Sequence, residues 1–269
     1  MSLTEAVQRL VEAERDNRKA RDVTPLENKL MGELAEFWDA QRRAYLRAAE
    51  RALRPLFAES VQGEHDRVWN SVAADTEGRL RGPLQENIDA ALRRGGTSLL
   101  ADVGMEAIGF DVRSPVAEDY LARRAGNAIV GINDSTRSQI RTVLNNATER
   151  GWSYTRTADQ ISDMFDGFSD PSPLRHIRNR AEMVAVTEMG EAYETGRQVS
   201  MEQVKAQGFD VQKRWSTFGD DRVCEICEPN GAAGWIDSDD LFPGGHERPL
   251  GHPGCRCDMQ TRMARDDDE

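Results

Sequence analysis

All the cysteines of the chain lie in one short segment near its C-terminal end, with a spacing that suits metal binding. They form a C-x-x-C pair and a C-x-C pair, and a histidine precedes the second pair by three positions. A C-x-x-C turn presents two sulfurs from one knuckle, and the C-x-C sulfurs share one side of an extended segment because strand side chains alternate. Zn²⁺ prefers four nitrogen or sulfur ligands at tetrahedral corners. The sequence therefore predicts a structural zinc site, held by four of the five candidates Cys224, Cys227, His252, Cys255 and Cys257.

Other states of these residues remain open at the sequence level. One of His252, Cys255 and Cys257 is expected outside the coordination shell, and the spacing alone does not choose among them. Disulfides are disfavoured because the N-terminal residues do not follow the pattern of a secretory signal, and unliganded thiols are the third alternative. A catalytic zinc is disfavoured because no H-E-x-x-H motif is present, and a deaminase would carry its H-x-E upstream of the C-x-x-C pair.

The segment between the two cysteine pairs explains why a metal would be needed. Residues 229 to 253 are rich in glycine and proline and contain few apolar side chains. Loops of this length are uncommon in a compact domain unless something besides an apolar core holds them. Metal binding contributes directly to folding free energy, so a zinc ion would hold the loop of residues 229 to 253 in one conformation. Just before it, residues 211 to 218 alternate and carry β-formers, which predicts a strand.

The sequence pattern of the first two-thirds of the chain predicts helices. Thr24-Pro25-Leu26-Glu27 has the form of a capping box that begins a long helix, in which apolar residues recur every three or four positions up to Phe57. A further helix from about residue 66 is expected to end before Gly95-Gly96. Asn133 to Thr136 are expected to cap a helix that ends near Gly151, and a last long helix is expected from about Pro173 to Gln207. The predicted fold class is mainly α with a small α+β C-terminal part: a long-helix arm, a helical domain and a zinc-clamped, loop-rich module.

Composition and charge restrict the function. The chain has 269 residues, of which 38% are hydrophobic and 30% charged, which is a composition typical of soluble proteins. No apolar run is long enough for a membrane span, so no membrane partner is expected. The net charge of −12 argues against a general nucleic-acid coat, because phosphate binding needs clustered Lys and Arg. Residues 266 to 269 form an acidic tail, which most often is a solvated segment.

Several motifs together resemble the phage Mu F-like head morphogenesis (minor capsid) family over roughly residues 105–260. The resemblance is carried by G-I-N-D-S-T at 131–136, E-R-G-W-S at 149–153, A-V-T-E at 185–188, W-S-T at 215–217, D-R-V-C-E-I-C at 221–227 and H-P-G-C-R-C at 252–257. The chain departs from the family pattern at Val186 and Asn230. Residues 1–104 form an N-terminal helical arm in this interpretation, residues 105–260 the family domain with its zinc-binding part at 211–260, and residues 261–269 the tail.

This resemblance implies a structural component of a tailed-phage head. Such a bacteriophage protein would be associated with the portal vertex and needed for viral capsid assembly, with the portal protein or the major capsid protein as partners. It would lie in the virion, and in the host cytoplasm during assembly. In this interpretation we expect no enzymatic role and no catalytic residues.

Two other functions are weighed against it. An ADP-ribosyltransferase-like or other toxin-type enzyme would use a helix-borne glutamate, for which Glu188 is the weak candidate, since Glu188, Glu191 and Glu194 follow one another at three-residue intervals. A secondary contact with packaged DNA would use a local arginine cluster, Arg175, Arg178 and Arg180.

Overall fold

The computed structural model describes residues 18–56, 62–169, 179–217 and 223–264. Helices dominate these residues, and a small antiparallel sheet lies near the C-terminal end, so the predicted mainly helical fold class is confirmed. The helices are α1 (Arg18–Ala52), α2 (Gln62–Asp102), α3 (Pro115–Arg150), α4 (Tyr154–Asp166), α5 (Arg180–Ala206) and α6 (Cys227–Ala232), and the strands are β1 (Val211–Ser216), β2 (Trp235–Asp237) and β3 (Asp258–Met263). None of the described helices is long and apolar enough to cross a bilayer.

The sheet is built around the strand that the alternating pattern predicts. Strand β1 lies in the centre and pairs antiparallel with both β2 and β3. Arg214 faces Trp235 on one side and Gln260 on the other. The side chains of alternate residues in β1 point to one buried face of the sheet: Val211, Lys213 and Trp215. The sheet thus joins the residues just after α5 to those just after the second cysteine pair.

The chain divides into two compact units, each assembled from separate segments. The sheet unit contains the described residues of segments 1–28, 87–122 and 184–269, and the helical unit contains those of segments 29–86 and 123–183. Both units draw on residues before and after the predicted boundary at 104. The predicted family domain at 105–260 concerns sequence relationship rather than packing, and it stays a prediction.

The helical unit has an apolar and aromatic core. Its largest buried side chains include Trp38, Phe37 and Tyr45 from α1 and Trp69 from α2. The indole of Trp38 meets the ring of Phe168 edge-on at 5.1 Å between centroids. Rings packed in this way contribute beyond the area they bury. The three- and four-residue apolar spacing of α1 is therefore the spacing of a core face, as predicted.

The glycine pair that was expected to end a helix lies inside α2, and Gly95 allows α2 to touch α5. Helix α2 continues through Gly95 and Gly96 to Asp102. A Cβ atom at Gly95 would lie 1.9 Å from the carbonyl oxygen of Tyr193 in α5, and one at Gly196 would lie 1.9 Å from that of Leu92. Only glycine permits such a close approach of two backbones. The predicted break is wrong because packing against α5 outweighs the low helix propensity of glycine.

Other helix ends also differ from the predicted positions. Helix α1 already includes Arg18 and contains Pro25, so the predicted start at Thr24 is wrong; Val23 and Leu26 are both buried and continue the core face across the proline. Residues 133–136 lie inside α3, where the Thr136 hydroxyl donates to the carbonyl of Ile132. The last long helix is described from Arg180, and its predicted start at residue 173 lies outside the described residues, as do residues 1–17 and 265–269. The predicted tail at 261–269 begins within β3, which extends to Met263.

Candidate metal centre

The first cysteine pair forms a tight turn that leads into a short helix. The backbone N–H groups of Cys227 and Glu228 both donate to the carbonyl oxygen of Cys224, each at 3.0 Å. Cys227 is the first residue of α6 and is buried, whereas Cys224 is half-buried. The turn therefore places both sulfurs on one side of the backbone, as the C-x-x-C spacing predicts.

The second group of candidates lies on a turn that is tied to α5. The N–H of Cys255 donates to the carbonyl of His252 at 3.1 Å. The N–H of Gly254 donates to the hydroxyl of Thr187 in α5 at 2.9 Å. Cys257 comes directly before β3, and its carbonyl oxygen accepts a hydrogen bond from the buried ammonium of Lys19. Helix α5 and the start of α1 thus fix where these side chains stand.

The structure brings all five predicted candidates together. Cys224, Cys227 and His252 have their ligand atoms within 4.8 Å of one another, and Cys227, Cys255 and Cys257 form a second such group that shares Cys227. The sulfurs of Cys227 and Cys255 are 3.6 Å apart. Zinc–sulfur bonds of about 2.3 Å place two sulfurs of a tetrahedral site about 3.8 Å apart. The buried thiols could therefore hold a metal ion.

The thiols differ in how readily they lose their protons. A hydrogen bond from Cys257 lowers the pKa of the Cys255 thiol to about 5, although burial opposes this shift. Burial, together with the charge of Cys255, raises the pKa of Cys227 to about 12. The pKa of Cys257 is raised because its thiol donates to Cys255 and is buried. A bound cation would favour the deprotonated form of its ligands, because metal binding requires the thiolate.

The imidazole of His252 is oriented by its own backbone. Its Nδ1 atom lies 2.8 Å from the carbonyl oxygen of Pro253. Burial lowers the pKa of His252, but this hydrogen bond and the nearby Cys255 and Cys224 thiols outweigh burial, so its pKa is raised overall. The imidazole therefore lies within the electrostatic reach of both cysteine pairs.

Around the thiols lies a small apolar cluster that the sequence pattern only hinted at. Trp215 and Phe242 pack against the buried cysteines, and their rings meet edge-on at 5.3 Å. The loop after Phe242 is held by two polar residues: the Lys213 ammonium donates to the carbonyl of Glu247 at 2.9 Å, and Asn230 accepts from the N–H of Gly244 at 2.7 Å. Asn230, one of the departures from the family pattern, therefore has a structural role in this chain.

A buried network of charges anchors the site, and sequence reasoning missed it. Lys19 pairs with Glu194 at 2.5 Å, and Arg197 pairs with Asp102 at 2.8 Å. Burial raises the pKa of Asp258 to about 7, assisted by the negative charge of Glu194. Lys19 is 175 residues from Glu194 and 238 from Cys257, so no local pattern could have marked it.

The glutamates of α5 that were weighed as catalytic have structural surroundings. Glu188 is buried, Glu194 is fully buried against Lys19, and Glu191 pairs with Arg248 at 3.1 Å. Among the arginines weighed for DNA contact, Arg175 and Arg178 lie outside the described residues. Arg180 stacks on the rings of Phe168 and Trp38 and donates to the Ile132 carbonyl at 2.8 Å. Its guanidinium is thus engaged within the helical unit.

Residues 138–260 match the phage Mu protein F like protein family. The match starts after the 131–136 motif and includes every candidate ligand, so the predicted family resemblance is confirmed over this segment. No curated protein and no solved structure gives a significant match to the chain. The family supports a role in the phage head, together with other head components.

Proposed function

We propose that the protein is a minor head protein of a tailed phage, associated with the portal vertex and needed for head assembly, with a structural zinc ion at its cysteine cluster. One observation carries the proposal: the matched segment contains both cysteine pairs and His252, and these residues converge in space. A site of thiolates and imidazole suits Zn²⁺, whereas Mg²⁺ and Ca²⁺ prefer oxygen ligands.

In this proposal the metal site is a clamp rather than a reaction centre. The candidates link the start of α6 to the turn before β3, two segments between which the chain has few apolar side chains. The zinc ion would supply folding free energy to the segment 211–264. The glutamates of α5 would serve packing, because they are buried or paired with basic residues. The proposal therefore assigns the chain no enzymatic role.

The position in the particle is tested by cross-linking mass spectrometry and cryo-electron microscopy of purified heads. We expect the chain in few copies, cross-linked to the portal protein or to the major capsid protein next to it. A Cys227→Ser variant should not be incorporated, whereas Asp240→Ser, at an exposed position of the same segment, should be. Heads that assemble normally without the chain, or a chain found only outside particles, would exclude the proposed role.

A further inference from the structure

An open groove lined by arginines lies between the start of α1 and the end of α2, within the sheet unit. Its volume is about 460 Å³. Of its eight lining residues only Asp22 is acidic, whereas four are basic: Arg18, Arg21, Arg93 and Arg94. The last three of these arginines are exposed. A chain with a net charge of −12 therefore concentrates positive charge in this arginine groove.

The carboxylates beside the groove neutralise only part of this charge. Arg18 pairs with Asp102 at 2.7 Å, and Arg93 pairs with Asp89 at 2.8 Å. Arg21 is exposed and forms no ion pair with the described residues. Ion pairs at a surface are weak, and a guanidinium has five N–H donors, so these arginines can accept further carboxylates. The arginine groove is thus suited to an acidic segment.

A loop of the same unit carries the opposite charge. Residues 237–241, the acidic loop, contain three exposed aspartates: Asp237, Asp239 and Asp240. The N–H of Ser238 donates to the carbonyl of Val211 at 3.1 Å, which ties the backbone of the loop to β1. Lys205 pairs with Asp239, so two carboxylates remain in excess. Leu241 completes the loop and is 57% exposed.

The range of the charges favours a short acidic segment in the groove over nucleic acid. Duplex DNA carries a charge about every 1.7 Å along its length, so it would also meet the acidic remainder of the chain. A five-residue loop is affected mainly by charges within a Debye length, which is about 8 Å at physiological ionic strength. The exposed Leu241 can pack on Ala101 and on the aliphatic stems of the arginines.

We propose that the acidic loop of one copy of the chain binds the arginine groove of a second copy. The loop and the groove share no residue, so each copy can offer both surfaces at once. Two different surfaces meet in such a contact, and it joins copies head to tail into a ring or an open chain. The contact uses none of the candidate metal ligands, and it goes beyond the role proposed above.

Analytical ultracentrifugation of the full chain over a range of concentrations tests the contact. We expect reversible self-association whose dissociation constant rises about tenfold or more between about 50 mM and about 500 mM salt. The groove variant reverses two charges (Arg21→Glu with Arg93→Glu), and so does the loop variant (Asp237→Arg with Asp239→Arg). Each variant alone should associate about a hundredfold more weakly, because like charges then meet. Asp240→Ser leaves two carboxylates in the loop and should weaken association about threefold or less.

A mixture of the two variants provides the decisive measurement. The loop variant keeps the native groove and the groove variant keeps the native loop, so the mixture should form a heterodimer about as tightly as the wild type associates. Loss of folding in either variant could not produce this recovery. The matched control is Arg67→Glu with Arg79→Glu, at exposed positions of α2 in the helical unit, which should associate like the wild type.

Other occupants of the groove give different results. A wild-type chain that stays monomeric at low salt, or a mixture that does not associate, would overturn the proposal. A monomeric wild type that binds a short DNA duplex, with binding lost in the groove variant, would assign the groove to phosphates instead. Association that survives in the loop variant but is lost when residues 266–269 are neutralised would assign it to the acidic tail.

Discussion

The two compact units hold their chain segments in place by different means. In the helical unit, aromatic and aliphatic side chains from long helices fill a core, with Trp38 and Tyr45 almost fully buried. In the sheet unit, the residues after 211 are joined by three short strands, a buried thiol cluster and a network of buried charges around Lys19. Apolar burial stabilises wherever enough apolar surface exists. The comparison teaches that a segment short of such surface needs bonds to an ion or paired charges instead.

Metal removal should have the largest effect, and it should act on the sheet unit alone. Binding of zinc to small structural sites contributes about 10–16 kcal/mol, so chelation or Cys227→Ser should unfold the segment 211–264 first. We expect amide hydrogen exchange of β1 and β3 to become fast while the amides of α3 in the helical unit stay protected. Unchanged protection of β1 after complete metal removal would show that the strands do not depend on the ion. Asp240→Ser is the matched control.

Truncation of a buried aromatic side chain should destabilise the helical unit instead. Trp38→Ala removes a side chain that is 1% exposed and contacts Phe168 and Arg180, and such changes cost about 3–5 kcal/mol. Urea unfolding should show this loss, and hydrogen exchange should place it in α1 and α3 rather than in β1. Val130→Ala, at a residue that is 59% exposed, should change stability by less than about 0.5 kcal/mol. A loss of that small size for Trp38→Ala would contradict the core described above.

The helix crossing of the sheet unit offers a third test. Gly196→Ala would place a methyl group 1.9 Å from the carbonyl oxygen of Leu92, so the two helices must separate. We expect a loss of about 3 kcal/mol, the upper end of the usual range for overpacking. Gly131→Ala, where no atom lies within 4 Å of the added carbon, should be stabilising by about 0.5–1 kcal/mol because alanine favours the helix. Equal effects of the two substitutions would refute the close crossing.

The smallest effect concerns pH and the helical unit. His65 is buried, accepts or donates one hydrogen bond with Tyr45, and faces Asp66, Arg137 and Arg141; burial lowers its pKa to about 4. Below the usual pKa of about 6.5, His65 binds a proton in the unfolded chain but stays neutral in the folded chain. The free energy of unfolding therefore falls from pH 6.5 to pH 4 and then levels off. The loss at pH 5 should be about 2 kcal/mol.

The matched variant isolates this contribution from that of other titrating groups. His65→Gln keeps a polar partner for Tyr45 but has no proton to gain. Its free energy of unfolding, measured between pH 7 and pH 4.5, should fall less steeply than that of the wild type. Parallel curves would mean that His65 titrates normally in the folded chain.

The features that could be predicted from sequence are those with local causes. The alternation at 211–218 predicts β1, and the cysteine spacing predicts the metal candidates. The features that could not be predicted depend on distant partners. Gly95 and Gly96 predict a helix break because the local sequence does not show that α5 packs against them. The buried position of Lys19 depends on Glu194 and Cys257, which lie far along the chain.

The proposal depends on one metal ion, bound by four of the five candidates from two separate segments, that fixes the C-terminal part of the sheet unit. Elemental mass spectrometry of the purified full chain, after dialysis against metal-free buffer, tests it most directly. We expect one zinc per chain, retained until a strong chelator or denaturant is added. A folded chain with far less than one metal ion per molecule would contradict it.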